Sequence, residues 1–131
     1  MSSLFSNCIN IPSIPDISKW NTRKVLNMSS MFFGTENLLF IPDISKWDTK
    51  DLVNIGSMFN GCKKILSLRE IGKWNTSKVN NMSLLFCNCE DLPFLPNISK
   101  WKTNNVINLS SMFSNCKNLT LYTRYIQLEY K

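Results

Sequence analysis

The hexapeptide PDISKW occupies residues 15–20 and again 42–47, and its variants REIGKW (69–74) and PNISKW (96–101) continue at the same interval of 27 positions. All four tryptophans therefore share one period, which restricts the chain to architectures built by repeating a single supersecondary unit. In rows of 27, Phe5, Phe32, Phe59, Phe86 and Phe113 fall in one column, and Ile17, Ile44, Ile71 and Ile98 in another. Further aliphatic columns run through Ile11, Leu38, Ile65, Leu92 and Leu119, and through Val25, Leu52, Val79 and Val106. Methionine dominates Met31, Met58, Leu85 and Met112.

One such unit cannot bury its apolar face alone, whereas stacking turns every column into a continuous ladder. The expected fold is a repeat solenoid of leucine-rich type, with about four to five coils over residues 1–121 (5–31, 32–58, 59–85, 86–112 and a partial 113–121). Alternation of apolar and polar residues over 25–30 predicts a short parallel strand in each coil. Residues 37–41 are a second strand candidate, ended by Pro42, which has no N–H for a ladder. Residues 30–35 suit one short helical or tight turn, and residues 45–49 form a corner where Asn21 or Asp48 can make an Asx turn.

The polar columns divide into structural and outward-facing ones. Trp20, Trp47, Trp74 and Trp101 should overlap as a ladder, with indole N–H groups at the rim or bonded to backbone. Asn27, Asn54, Asn81 and Asn108 read as a hydrogen-bonding ladder that satisfies backbone groups at a corner, the alternative being a ligand role. Cys8, Cys62, Cys89 and Cys116, with Thr35 in the remaining place, read as small buried thiols. A disulfide between stacked Cys89 and Cys116 is the competing reading. Lys19, Lys46, Lys73 and Lys100 would repel by about 0.8 kcal/mol per neighbouring pair in water. Asp16, Asp43 and Glu70 stand three positions earlier to relieve them. In the last coil Asn97 replaces the acid and Lys102 follows the tryptophan, so positive potential should peak near Lys100 and Lys102. These five lysines are the candidate surface contacts; a solvated face and a contact with an acidic partner both account for them.

Composition bears mainly on partners and catalysis. Fifteen Lys and Arg against nine Asp and Glu give a net charge of +6, which favours acidic partners without specifying one. Without a histidine, Ser-His-Asp and Cys-His catalysis and mixed zinc clusters are excluded, and no glycine-rich phosphate loop occurs among four glycines. The chain is thus expected to be non-catalytic, with no cofactor, metal or small-molecule substrate. Nucleic acid ranks behind a protein partner. No apolar run approaches the ~20 residues of a membrane span. Six N-x-[ST] sequons, at Asn27, Asn75, Asn81, Asn97, Asn108 and Asn118, arise largely from the repeat itself.

The stretch MSSMFFGTENLLFIPDISKWDTKDLVNIGSMFNGC (28–62) resembles the repeat of BspA-like leucine-rich repeat surface proteins, in the branch found in mycoplasma lipoproteins and protists. The likeness runs from Met1 to about Leu121; Thr35 for Cys, Gly56 for Ser and Arg69 for Pro depart from it. The resemblance implies a protein-interaction or adhesion module at the cell surface, binding a host or matrix protein, and it supplies no ligand residues. An intracellular protein-binding scaffold of the same fold is the alternative, since no secretion signal precedes the repeats. MSSLF at residues 1–5 aligns with MSSMF at 28–32, so the chain opens within a coil, which predicts a piece of a longer repeat protein. The tail at 122–131 leaves the pattern and is expected to cap the last coil.

Overall fold

A computed structural model describes residues 1–119. The expected tail cap, and the last two positions of the expected repeat region, lie outside these residues.

Successive 27-residue coils stack on one another, joined by backbone hydrogen bonds that are densest at 28–34 and its equivalents, with a sparser set from Lys64 and Leu66 to Glu36 and Leu39. The N–H groups of Met28, Ser30, Phe32 and Gly34 donate to the carbonyls of Asn54, Gly56, Met58 and Asn60 in the next coil, at 2.8–3.0 Å. Between them, the N–H groups of Met31, Phe33 and Thr35 turn back to the carbonyls of Met28, Ser30 and Phe32 within their own coil. Inter-coil and local bonds therefore alternate residue by residue, which is the pattern of neither a helix nor a strand.

Two left-handed residues per coil permit this alternation. Ser3, Ser30, Ser57, Leu84 and Ser111 hold φ between 53° and 57°, and Asn7, Gly34, Gly61, Asn88 and Asn115 hold φ between 58° and 79°. Glycine and asparagine are the residues that adopt this conformation most readily. The strand expected at 25–30 shrinks accordingly to single parallel bridges, Asn27 to Asn54, Asn54 to Asn81 and Asn81 to Asn108. No strand forms at 37–41 either, and the turn at 30–35 is not helical.

Side chains close the corners. Asp16, Asp43 and Asn97 accept from the N–H groups of Ser18, Ser45 and Ser99. Asn21, Asp48 and Asn75 accept from Arg23, Lys50 and Ser77. Asn27, Asn54, Asn81 and Asn108 accept from Ser29, Gly56, Ser83 and Ser110. A carboxylate or amide oxygen that holds the N–H two residues on bends the chain without regular secondary structure. The asparagine column thus serves backbone groups at a corner within each coil; the contact between coils at that point is backbone to backbone.

The third PDISKW-type corner is built differently. It forms the one helical element among the described residues, the 3-10 helix Arg69–Lys73. A proline disfavours the helical region for the residue before it, and Arg69 lifts that restriction from Leu68, allowing the N–H of Ile71 to reach the Leu68 carbonyl at 3.3 Å.

The interior is the set of ladders. Phe32, Phe59 and Phe86 are fully buried, and neighbouring phenylalanine rings stack at 5.5–6.2 Å from Phe5 through to Phe113. Trp20, Trp47 and Trp74 stack at 6.1–6.4 Å. Separations of this kind characterise offset aromatic pairs, each contributing roughly 0.5–1.5 kcal/mol beyond burial. The indole N–H groups of Trp47, Trp74 and Trp101 donate to the carbonyls of Ile17, Ile44 and Ile71, each in the preceding coil. Thr49 Oγ1 donates to the Asn75 carbonyl at 3.2 Å and accepts from the Asn75 N–H at 2.8 Å, and Thr76 does the same with Lys102.

Candidate functional site

The thiols belong to the frame. Cys62, Cys89 and Cys116 are free and buried, and each Sγ donates to a phenylalanine carbonyl of the preceding coil, Phe32, Phe59 and Phe86. Cys89 and Cys116 are not bonded to each other. Thr35 fits the missing cysteine position, with Oγ1 donating to the Phe32 carbonyl at 2.7 Å and lying 3.2 Å from Cys62 Sγ. Burial pushes the Cys62 and Cys116 thiols up to about 12. Burial also holds Cys89 well above its ordinary value, with the neighbouring thiols adding to the effect. Such groups are not thiolates at neutral pH and do not act as nucleophiles. Cys8, at the first place in the column, is half-buried.

The lysine column faces outward. Lys19, Lys46, Lys73, Lys100 and Lys102 are all exposed, and none pairs with a carboxylate among the described residues. The relief expected from Asp16 and Asp43 is secondary. The hydrogen bonds from Ser18 and Ser45 are the largest influence holding these carboxyls below their ordinary values, with the lysines contributing less. The acids are placed to close corners, and their charge only partly offsets the column.

Ion pairing is organised in other columns, which identity-based reading of the repeat misses. Glu36, Lys63, Glu90 and Lys117 alternate in sign at intervals of 27, and Lys63 meets Glu36 at 3.0 Å while Lys117 meets Glu90 at 2.6 Å. Lys24, Asp51 and Lys78 alternate likewise, with Lys78 at 2.6 Å from Asp51. The signal was present as sign alternation down a column rather than as repeated identity. These pairs are exposed and screened, so they set register more than stability.

The third and fourth lysine corners border an open cleft of about 660 Å³. Arg69, Lys73, Lys100 and Lys102 line it together with Asn75 and Asn97. The cleft thus collects three of the five candidate lysines and adds Arg69; Lys19 and Lys46 stand outside it. No carboxylate lines it. Gly72 brings the two corners together: a Cβ there would lie 2.7 Å from the Asn97 carbonyl oxygen. Arg69 entered the sequence reading only as a departure from proline, and Gly72 stands where the other three corners have serine.

The lining side chains offer donors almost exclusively. The Oδ1 atoms of Asn75 and Asn97 are occupied by the Ser77 and Ser99 N–H groups, while their Nδ2 groups have no partner among the described residues. Thr76 Oγ1 is engaged with Lys102 backbone in both directions. Among the described residues no group of three or more His, Cys, Asp or Glu could hold a metal ion, and no helix is long and apolar enough to cross a membrane.

A family model described as "Mycoplasma protein of unknown function, DUF285" matches residues 1–124. Among solved structures, the crystal structure of the leucine-rich repeat protein of T. pallidum (TpLRR) is similar at 16% identity, covering 98% of this chain and 74% of that one, with a TM-score of 0.38. None of the curated proteins matches. With the family model spanning nearly the whole chain, the protein belongs to the DUF285 family of mycoplasma proteins.

Proposed function

We propose that this DUF285 protein is a non-catalytic interaction module, a solenoid of leucine-rich type with BspA-like repeats, displayed at the cell surface for adhesion to a host or matrix protein. The observation that carries the reading is the division of labour among the polar columns. Asparagine oxygens close the corners and the threonine, tryptophan and cysteine side chains of the inner coils bond to neighbouring backbone, while the lysine column stands exposed and unpaired at one corner. A frame whose interior polar groups are satisfied frees its outward columns for recognition, and repeat stacks present such columns over an extended surface. The mycoplasma family and the sequence resemblance to BspA-like repeats agree with this reading.

The test is membrane-impermeant labelling of intact cells, followed by attachment of the purified protein to immobilised matrix proteins. Labelling and saturable attachment are expected. Protein that is inaccessible from outside, and that fails to attach, would instead favour the intracellular scaffold of the same fold, a reading supported by the five free thiols.

A further inference from the structure

From the cleft we infer that Arg69, Lys73, Lys100 and Lys102 form a binding site for a short acidic segment of a partner protein, one carrying two or more neighbouring Asp or Glu carboxylates. This deepens the adhesive reading by naming the partner's chemistry, and it rests on that reading for its biological setting.

Three observations converge. First, the side-chain lining is matched to ligands that only accept. Arg69, Lys73, Lys100, Lys102, Asn75 and Asn97 line one space, and the side-chain oxygens of Asn75, Asn97 and Thr76 are already engaged. An ionised carboxylate is an acceptor without a donor, and the planar fork of arginine binds it through two parallel bonds. Second, the compensation is incomplete. Asn97 stands where Asp16, Asp43 and Glu70 stand in the first three coils, and no carboxylate lines the cleft; Asp43 interacts with Lys73 from outside it, while the corner that carries Lys100 and Lys102 has no acid of its own. Third, the site is local. An open cleft of about 660 Å³, confined to two neighbouring corners, takes in a few residues of chain.

Locality separates an acidic peptide from the polymeric anions. Nucleic acid and sulfated glycan gain affinity by neutralising charge along a continuous cationic track. Here the track is interrupted, because Asp16, Asp43 and Glu70 stand in the first three corners and only the fourth, with Lys100 and Lys102, has no acid. Single strands also use exposed aromatic platforms. The aromatic side chain in the cleft is Trp74, which is 4% exposed and has its N–H bonded to Ile44.

The deciding experiment is calorimetric titration of the full chain with a hexaglutamate peptide at low salt, repeated with the K100Q/K102Q and K19Q/K46Q double variants. All four positions are exposed, so both variants should keep the fold. Hexaglutamate should bind the parent chain, weaken by about tenfold or more in K100Q/K102Q, and change little in K19Q/K46Q. Absence of binding to the parent, or equal loss in both variants, overturns the site. A sulfated oligosaccharide or a single-stranded oligonucleotide of matched charge that binds more tightly than the peptide overturns the ligand class. Attachment assays with K100Q/K102Q keep the two readings apart. Attachment without peptide binding refutes the cleft and leaves adhesion standing; peptide binding at the cleft without attachment does the reverse.

Discussion

Leu84 occupies a backbone position that its chemistry does not suit. Its φ of 57° lies in the left-handed region, where the other members of its column are serines. A left-handed conformation costs a side-chain-bearing residue roughly 1–2 kcal/mol, and asparagine is among the few that adopt it readily. Leu84→Asn should therefore raise stability by about 0.5–1 kcal/mol, after some loss of half-buried contact, and should appear as a higher urea midpoint with unchanged slope. The opposite sign is expected at Thr49, whose hydroxyl serves both the N–H and the carbonyl of Asn75. Thr49→Val leaves those partly buried groups unmatched and should cost about 1–3 kcal/mol. The same change at Thr103, which is exposed, should be nearly neutral. The thiols add a pH dependence. Cys62 and Cys116 titrate near 12 in the folded chain, against about 8.5 when unfolded. Their contribution is complete below the unfolded value and is lost as pH rises toward 12, because the unfolded chain releases these protons first. Denaturation monitored from pH 8 to 11 should show falling stability, and Cys62→Ser should reduce the slope.

At the scale of the corner, two devices do the same work with different pH behaviour. Asp16 and Asp43 close their corners as carboxylates, whereas Asn97 closes its own as an amide. The hydrogen bonds from Ser18 and Ser45, aided by the lysines, hold the two aspartates below their ordinary values. A depressed carboxyl adds stability above the unfolded pKa of about 3.9, and that stability is lost as pH falls through the folded value. An Asp16→Asn/Asp43→Asn double variant should keep both turns while flattening the acid limb of the stability curve; an unchanged acid limb would show that other carboxylates set it. The corner also shows what could and could not be read beforehand. The columns of Phe, Ile and Trp were legible because burial recurs at one interval, and the Asx turn at Asn21 or Asp48 because the residue type implies it. The alternation of inter-coil and local bonds at 28–35 was not, since serine does not advertise a left-handed residue and the apolar spacing there imitates a strand. The peak of charge near Lys100 and Lys102 was visible in the replacement of an acid by Asn97. The cleft itself was not, because it depends on Arg69 opening a 3-10 helix and on Gly72 admitting the Asn97 carbonyl at close range.

For the molecule as a whole, stacking makes stability a matter of neighbours. The second and third coils are held on both sides by backbone bonds, ring stacks and buried hydroxyls, while residues 1–31 are less fully covered. Trp20 is 39% exposed where Trp47 and Trp74 are 4% exposed, and Leu4 and Ile9 are about half exposed. In a linear array with nearest-neighbour coupling, opening starts in the least buried coil and moves into the stack. Native-state hydrogen exchange should therefore be graded along the chain. The amides of Ser57, Phe59 and Gly61, which donate to the carbonyls of Ser83, Leu85 and Cys87 within the stack, should be the slowest. Those of Ser3, Phe5 and Asn7 should exchange sooner, although they make bonds of the same kind and length to the next coil. Gly72→Ala tests whether coupling passes through the cleft. Its new Cβ would meet a backbone oxygen at 2.7 Å, which cannot yield as a flexible side chain would, so the third and fourth coils must part. Overpacking of this kind costs about 1–3 kcal/mol. The loss should appear as faster exchange at Met82, Leu84 and Phe86, whose N–H groups are bonded across that same junction. The amides of Met28 and Ser30, bonded between the first and second of the full coils, should keep their protection. Uniform acceleration throughout would instead mean that the stack opens as a single unit, and the neighbour-by-neighbour account would fail.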